Sequence, residues 1–335
     1  MKSFLSAIAF VLAAGIAHGD ELRVLAHSSF DLPKPLLADF ERQAGVKLVI
    51  VKAGDAGEML NKLILTRAHP IADVVFGIDN SLIAKALDAG VIDPYVQKAG
   101  ARPSHVGLPG GVASVDYGYV TLNYDKAWFA KNHLPLPRTL DDLTRPAYKN
   151  LLVVENPATS SPGLAFLLST ISALGEDRAF ALWARLRANG VKVSKGWDEA
   201  YYTDFSRNGG SRPIVLSYAT SPAAEVFYSK EKLTESPTAN LPLPGAVFRQ
   251  VEGVALVKGG GERQAAGKFI DFMRSDAVQK ALQTTMWMYP AVDATPVDPA
   301  LRFAAIPAAH QTPDENTIHR KAAAWVARWT QVVLR

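Results

Sequence analysis

Apolar segments of two different periods alternate along the first part of the chain. Short apolar runs at 22–26, 46–51 and 72–77 have the length and composition of buried strands. Between them, 35–43 and 57–67 have helical patterns, and 57–67 repeats apolar side chains every three to four residues. Near-continuous apolar strands that alternate with helices predict a mostly parallel sheet covered on both faces.

The same alternation continues to the end of the sequence. A third helix is expected through Leu87, with Asn80 as its N-cap. A final helix over 315–333 carries Trp325 and Trp329 at helical spacing and is expected to dock through a packed face. Further strands are expected at 151–154 and 213–218, and further helices at 162–174 and 178–188.

Two longer strands suggest how the chain divides into domains. They cover 115–124 and 248–257, the second interrupted by Gly253, and we expect them to cross between two α/β lobes. The predicted first lobe is 20–117 plus about 252–335, with the last helix docked on it. The predicted second lobe is 118–251 and contains a proline-rich linker at 235–245. This fold class is α/β, with a cleft between the lobes.

The N-terminus predicts export. A positive start at Lys2 and an apolar stretch end in small residues around 17–19, which is typical of a secretory signal peptide. We expect residues 1–19 to be the signal peptide, cleaved before Asp20, and the product to be periplasmic. No later segment approaches the roughly 18 uninterrupted apolar residues of a membrane span.

Composition removes several classes of function. The formal charge of +4 is spread along 335 residues without lysine or arginine runs, so nucleic acid is not an expected partner. The sequence contains no cysteine, which excludes disulfides, thiolate metal sites and a cysteine nucleophile. The histidines have no metal-binding spacing, so neither a metal nor a cofactor is expected.

Two predicted helix starts combine hydroxyl residues with proline. One is Thr159-Ser160-Ser161-Pro162 and the other is Thr220-Ser221-Pro222, and each follows a strand. Free N–H groups and the helix dipole favour anions at such positions, which also lie where open α/β sheets bind ligands. Each start alone is more simply an ordinary cap, but two of them in one half of the chain predict a phosphate subsite.

Three further residues have two interpretations each. Trp197 and Trp287 lie outside clean periodic patterns, so they are either loop platforms for a flat or cationic ligand or core residues. Asp55 lies between a strand and a helix, and it is either the helix cap or an acceptor for an amino-heterocycle.

Six segments in order along nearly the whole chain resemble the periplasmic thiamine-binding proteins of thiamine ABC importers. They are 73–80, 116–119, 159–164, 195–201, 216–222 and 287–290. The resemblance implies the two-lobed periplasmic-binding-protein fold of type II, closing on thiamine, thiamine monophosphate or thiamine diphosphate. It also implies a monomer that delivers its ligand to an inner-membrane ABC permease.

The resemblance also implies a set of ligand contacts. They fall on Asp55, Ala56, Ser160, Ser161, Trp197, Tyr218, Ala219, Thr220 and Ser221, with Trp287 as an aromatic wall. Asp55 would meet the aminopyrimidine, and the serines would meet the phosphate. The chain departs from the family pattern at His27 and Ala224, where aromatic residues are familiar, and at Ala56, where glycine is. His27 is included in the predicted site.

Two alternative functions fit parts of the sequence. A ferric-iron carrier of the same fold would use paired tyrosines, and Tyr201 and Tyr202 are adjacent, although the tryptophans would then have no role. A thiamine-degrading enzyme of similar architecture would need a cysteine nucleophile, which the chain lacks. A non-enzymatic carrier is therefore expected.

Overall fold

The computed structural model describes residues 21–95 and 102–335. The signal peptide expected at 1–19 and its cleavage point before Asp20 lie outside this range. The strands are β1 (Glu21–Ala26), β2 (Lys47–Lys52), β3 (Val74–Asp79), β4 (Ile92–Asp93), β5 (Ala113–Asp125), β6 (Leu152–Glu155), β7 (Lys192–Ser194), β8 (Ile214–Tyr218), β9 (Thr238–Leu241), β10 (Phe248–Val257) and β11 (Tyr289–Pro290). The α-helices are α1 (Lys34–Ala44), α2 (Ala56–Leu65), α3 (Ile83–Asp88), α4 (Lys126–Asn132), α5 (Ser161–Leu174), α6 (Glu176–Ala188), α7 (Trp197–Glu199), α8 (Ser221–Phe227), α9 (Arg263–Met273), α10 (Asp276–Thr285) and α11 (Glu315–Trp329).

The described strands form one curled sheet in the order β2-β1-β3-β10-β5-β8-β6-β7. Strands β1, β2 and β3 pair in parallel at one end, and β6, β7 and β8 do so at the other. The two long strands β5 and β10 pair antiparallel to each other in the middle. The expected mixture of parallel strands and helices is present, and the two-lobed α/β fold is confirmed.

Strands β5 and β10 connect the two halves of the sheet. β10 pairs with β3 from Glu252 to Leu256, whereas β8 pairs with β5 from Val120 to Tyr124. Each long strand therefore belongs to one lobe at one end and to the other lobe at the other end. The domain boundaries at 117/118 and 251/252 stay a prediction.

Helix α5 forms the centre of the larger core. Its residues from Ser161 to Ile171 are all buried, because the sequence has no polar stripe in this stretch. Phe166 of α5 packs edge-on against Trp183 of α6 at 5.4 Å between ring centroids. This packing fixes the N-terminus of α5, which faces the space between the lobes.

Some expected local features differ in the structure. Asn80 is not a helix cap, since α3 begins at Ile83 and the buried Asp79 carboxylate accepts from the N–H groups of Ser81 and Leu82. The Asn80 side chain instead accepts from the Val251 N–H at 3.0 Å, tying β3 to β10. The Asp79 carboxylate, one residue earlier, already accepts from the N–H groups that Asn80 was expected to cap.

The proline-rich stretch 235–245 is not only a linker. It contains β9, which pairs antiparallel with β5. Its prolines lie at 237, 242 and 244, outside the paired residues, where they remove no ladder hydrogen bond. Helices α9 and α10 were not predicted.

The last helix contacts both lobes, whereas the sequence assigned it to the first. Trp329 packs against Trp183 of α6 at 5.5 Å, and the Arg328 guanidinium lies 4.2 Å from the centroid of the Phe180 ring. At its other end, His319 Nε2 lies 2.7 Å from Asp88 Oδ1 of α3. Among residues 21–95 and 102–335, no helix combines the length and apolarity needed to cross a bilayer.

Candidate ligand-binding site

A cleft of about 310 Å³ lies between the two lobes. Residues from both lobes line it, including Asp55 at the start of α2 and Trp197 at the start of α7. Its size is at the lower end of the range for small-molecule sites. The cleft mixes aromatic walls with carboxylates and hydroxyls.

Nine of the eleven predicted site residues line this cleft. They are His27, Asp55, Ala56, Ser161, Trp197, Tyr218, Thr220, Ser221 and Trp287. Ser160 and Ala219 do not line it and are fully buried behind their neighbours. The structure thus brings together residues far apart in sequence, while their contact with a ligand stays a prediction.

Asp55 joins the two lobes. Its Oδ1 caps α2 by accepting from the Ala56 N–H at 2.6 Å, and its Oδ2 accepts from the Trp197 N–H of the other lobe at 3.0 Å. Loss of hydration raises the pKa of Asp55, and hydrogen bonds from Trp197, Ser160, Ala56 and Ser161 oppose that rise. The Asp55 carboxylate therefore caps a helix and also faces the cleft, while its contact with an amino-heterocycle stays a prediction.

The two lobes touch closely beside Asp55. The Glu58 N–H donates to the Thr159 carbonyl at 2.9 Å, and Lys195 Nζ lies 2.9 Å from Glu58 Oε1. A methyl group on Gly57 would lie only 2.7 Å from the carbonyl carbon of Thr159. Glycine at this position is what lets α2 approach the 159–160 backbone, and the lobes are closed on each other here.

The two hydroxyl-plus-proline helix starts differ in detail. Ser160 is the N-cap of α5 and accepts from the Gly163 N–H at 3.4 Å, as expected. Thr220 is the N-cap of α8 but makes no side-chain cap bond, because its backbone is already helical there. Its buried hydroxyl has no hydrogen-bond partner within the described residues. Ser221 instead bonds Ser217 at 2.8 Å between the hydroxyl oxygens.

Aromatic rings form two walls of the cleft. Trp197 begins the single turn α7 and is not on a loop as expected; its ring stacks on Tyr201 at 5.0 Å and 20°. The Trp197 indole N–H donates to Ser217 Oγ at 2.8 Å, which fixes the plane of the ring. Trp197 and Tyr201 thereby present to the cleft a flat surface whose orientation is fixed.

Trp287 forms the second wall. Its φ of 60° is in the left-handed region, which is uncommon for a bulky residue and costs roughly 1–3 kcal/mol. Phe227 and Tyr228 of the other lobe meet its ring edge-on at 5.2 and 5.7 Å. Such backbone strain is characteristic of residues whose side chain is held for a function.

A buried pair of carboxyl groups, one of which lines the cleft, was missed by sequence reasoning. Glu252 lines the cleft, and Asp116 lies directly opposite it in the register of β5 and β10. Burial raises the pKa of Asp116 to about 7, and burial together with the Asp116 charge raises the pKa of Glu252 well above its usual range. Acidic residues within otherwise apolar strands were the available signal.

His27 lies beside this pair. Its Nε2 is 3.4 Å from Glu252 Oε1, but burial, helped by Lys52, lowers the pKa of His27 to about 4. The imidazole is therefore neutral at pH 7, and the contact is not an ion pair. Where the related proteins are expected to carry an aromatic ring, this chain has a neutral polar ring beside a carboxyl.

The paired tyrosines do not form an open iron site. The Tyr201 hydroxyl donates to Glu225 Oε1 at 2.8 Å, and burial and the Glu225 charge raise the pKa of Tyr201 well above its usual range. Tyr202 is 60% exposed. Among the residues that the structure describes, no group of three histidine or acidic side chains has the geometry of a metal site.

The fold and cleft define a two-lobed protein that closes on a small molecule. Residues 69–310 match the model of the bacterial extracellular solute-binding proteins. The chain is 34% identical over 303 residues to the thiamine-binding periplasmic protein of Salmonella typhimurium, covering 88% of this chain and 87% of that protein. It belongs to the bacterial extracellular solute-binding protein family.

Solved structures agree with this assignment. A periplasmic thiamin binding protein matches with a TM-score of 0.82 and 30% identity, covering 94% of this chain and 96% of the other. A ferric binding protein from Campylobacter jejuni matches with a TM-score of 0.72 and 18% identity, covering 93% and 99%. The second likeness shows the fold alone.

Proposed function

We propose that this protein is the periplasmic solute-binding component of an ABC importer and that its ligand is thiamine or a thiamine phosphate. The observation that carries the proposal is the combination of fixed aromatic walls with a buried pair of carboxyls, one of which lines the cleft. A flat ring with a permanent positive charge gains from both, since aromatic faces attract cations and carboxylates neutralise them. The relatives with 30% identity or more bear thiamine in their names, which supports the same ligand.

The phosphate esters extend the proposal. Ser161 lines the cleft at the N-terminus of the 14-residue helix α5, and the Thr220 hydroxyl and the Arg207 guanidinium line the same cleft. A helix N-terminus, hydroxyls and a guanidinium are suitable partners for a phosphate group. Ser160, which does not line the cleft, would act indirectly by capping α5 and by hydrogen-bonding Asp55.

Asp55 has less room for the aminopyrimidine than the sequence implied. Its two oxygens already face four protein donors, so an amino group of the ligand would share an oxygen with Ala56 or Trp197. In this proposal its main contribution is to hold the lobes together around the ligand.

The carrier is proposed to act as a monomer, without catalysis, and to pass its ligand to a membrane permease. The test is calorimetric titration of the exported protein with thiamine, thiamine monophosphate and thiamine diphosphate. One-to-one binding, with quenching of tryptophan emission and no cleaved product after incubation, is expected. Absence of saturable heat with all three compounds would refute the ligand, and an iron-loaded preparation would point to the ferric alternative.

A further inference from the structure

The buried charges beside the cleft are unbalanced. Glu252 and Asp116 face each other from adjacent strands, and Asp79 on β3 and Asp55 at the start of α2 add negative charge to Glu252. Of the neighbouring groups, His27 is neutral at pH 7, and the exposed Lys52 acts on His27. Ionised carboxylates cannot remain buried together without protons or a cation.

Two neutral polar groups face the same space without being satisfied. His27 Nε2 lies 3.4 Å from Glu252 Oε1 but makes no hydrogen bond, and the Thr220 hydroxyl likewise has no partner among the described residues. Both residues, taken whole, are more than nine-tenths buried, and both line the cleft. Buried polar atoms are normally hydrogen-bonded, so these two groups are available to a polar or charged ligand in the cleft.

We propose that the Glu252–Asp116 pair is the subsite that recognises the ligand's positive charge, and that a cationic ring entering the cleft displaces a proton which the two carboxyls share. The inference rests on the proposed function and extends it, because it assigns the thiazolium charge to particular residues. In the free protein the shared proton neutralises one carboxyl. In the complex the ligand's cation replaces it, and the proton leaves to solvent.

The direction of the pH effect follows from this exchange. Raised carboxyl pKa values mean that the free pair holds a proton near neutral pH, as burial dictates. A cation favours the ionised form, so the complex binds fewer protons than the free protein. Thiamine affinity should therefore rise with pH, with Kd falling by up to about tenfold per unit while the free pair is protonated.

The experiment is calorimetry of thiamine binding in buffers of equal pH but different ionisation enthalpy. The slope of the observed enthalpy against the buffer enthalpy counts the protons released. We expect release of up to one proton at pH 7 and a Kd that falls as the pH rises through neutrality. Thiamine that binds with the same enthalpy in every buffer overturns the inference and leaves the proposed function standing. No binding at any pH refutes the proposed function itself.

Two comparisons test whether the proton release arises at Glu252. Glu252→Gln should abolish proton release and weaken thiamine roughly tenfold, while a neutral analogue with thiophene in place of thiazolium binds both proteins alike. Asp198→Asn is the matched control, since it also removes one negative charge near the cleft but from an exposed residue that does not line it. It should keep both the affinity and the proton release. Equal loss of release in both variants would overturn the assignment to Glu252.

Discussion

Closure of the two lobes depends on Gly57, where α2 meets the opposite lobe. In Gly57→Ala the new methyl group would lie 2.7 Å from the carbonyl carbon of Thr159 and 2.8 Å from its oxygen. These are backbone atoms of the residue before the N-cap of α5, so no flexible side chain can move aside. Closing the lobes should then cost roughly 1–3 kcal/mol, as overpacking does in a tight interface.

The same substitution should not weaken the open protein. Alanine is favoured over glycine within a helix by up to about 1 kcal/mol, so the melting temperature without ligand should stay level or rise. Ligand binding requires the closed form, so Kd for thiamine should increase roughly 5- to 150-fold. Affinity and stability would thus change in opposite directions.

Calorimetry gives the affinity, and thermal unfolding without ligand gives the stability. Gly267→Ala is the matched control, because Gly267 lies inside α9 and its new methyl would meet only the Tyr95 ring at an ordinary 3.4 Å. That variant should gain helix stability and keep its Kd. If Gly57→Ala bound thiamine as tightly as the wild type, the close contact of α2 with Thr159 would have no part in closure.

Two other predictions concern the cleft walls and the phosphate. Trp197→Ala should weaken thiamine roughly tenfold in fluorescence titration, while Trp197→Phe, which keeps a ring but loses the bond to Ser217, should lose less; equal losses would argue against stacking. The double change Ser160→Ala with Ser161→Ala should lower the affinity for thiamine monophosphate more than for thiamine, by about 1 kcal/mol per hydroxyl, and equal effects would return the serines to a purely structural role.

Much of the fold was predictable because its signals are local. The apolar run at 72–77 indicates a strand, and the glycine after α1 indicates the end of a helix; each signal is contained in a few neighbouring residues. The division into two lobes followed from the two long strands, since no other segments are as extended. The family resemblance then identified nine of the residues that line the cleft, which no local pattern could do.

The missed features depend on contacts between distant segments. Glu252 and Asp116 form a pair only because β5 and β10 place them side by side in one register. Asn80 does not cap the helix as predicted, because its side chain accepts from the Val251 N–H of β10 and Asp79 takes the capping role. The double role of Asp55 likewise depends on Trp197, 142 residues away, reaching its carboxylate. Sequence periodicity contains no information about such pairings.

The last part of the chain has a consequence for how the lobes move. After leaving the first lobe it returns to the second, where the Gln311 N–H donates to Val247 O and Trp329 is buried against α6. The pair of His319 and Asp88 is its exposed contact with the first lobe. Helix α11 therefore ties α3 to α6, and the chain before it is a third connection between the lobes beside β5 and β10. Opening of the cleft must therefore change the contacts of α11 with one lobe as well as the bend of β5 and β10.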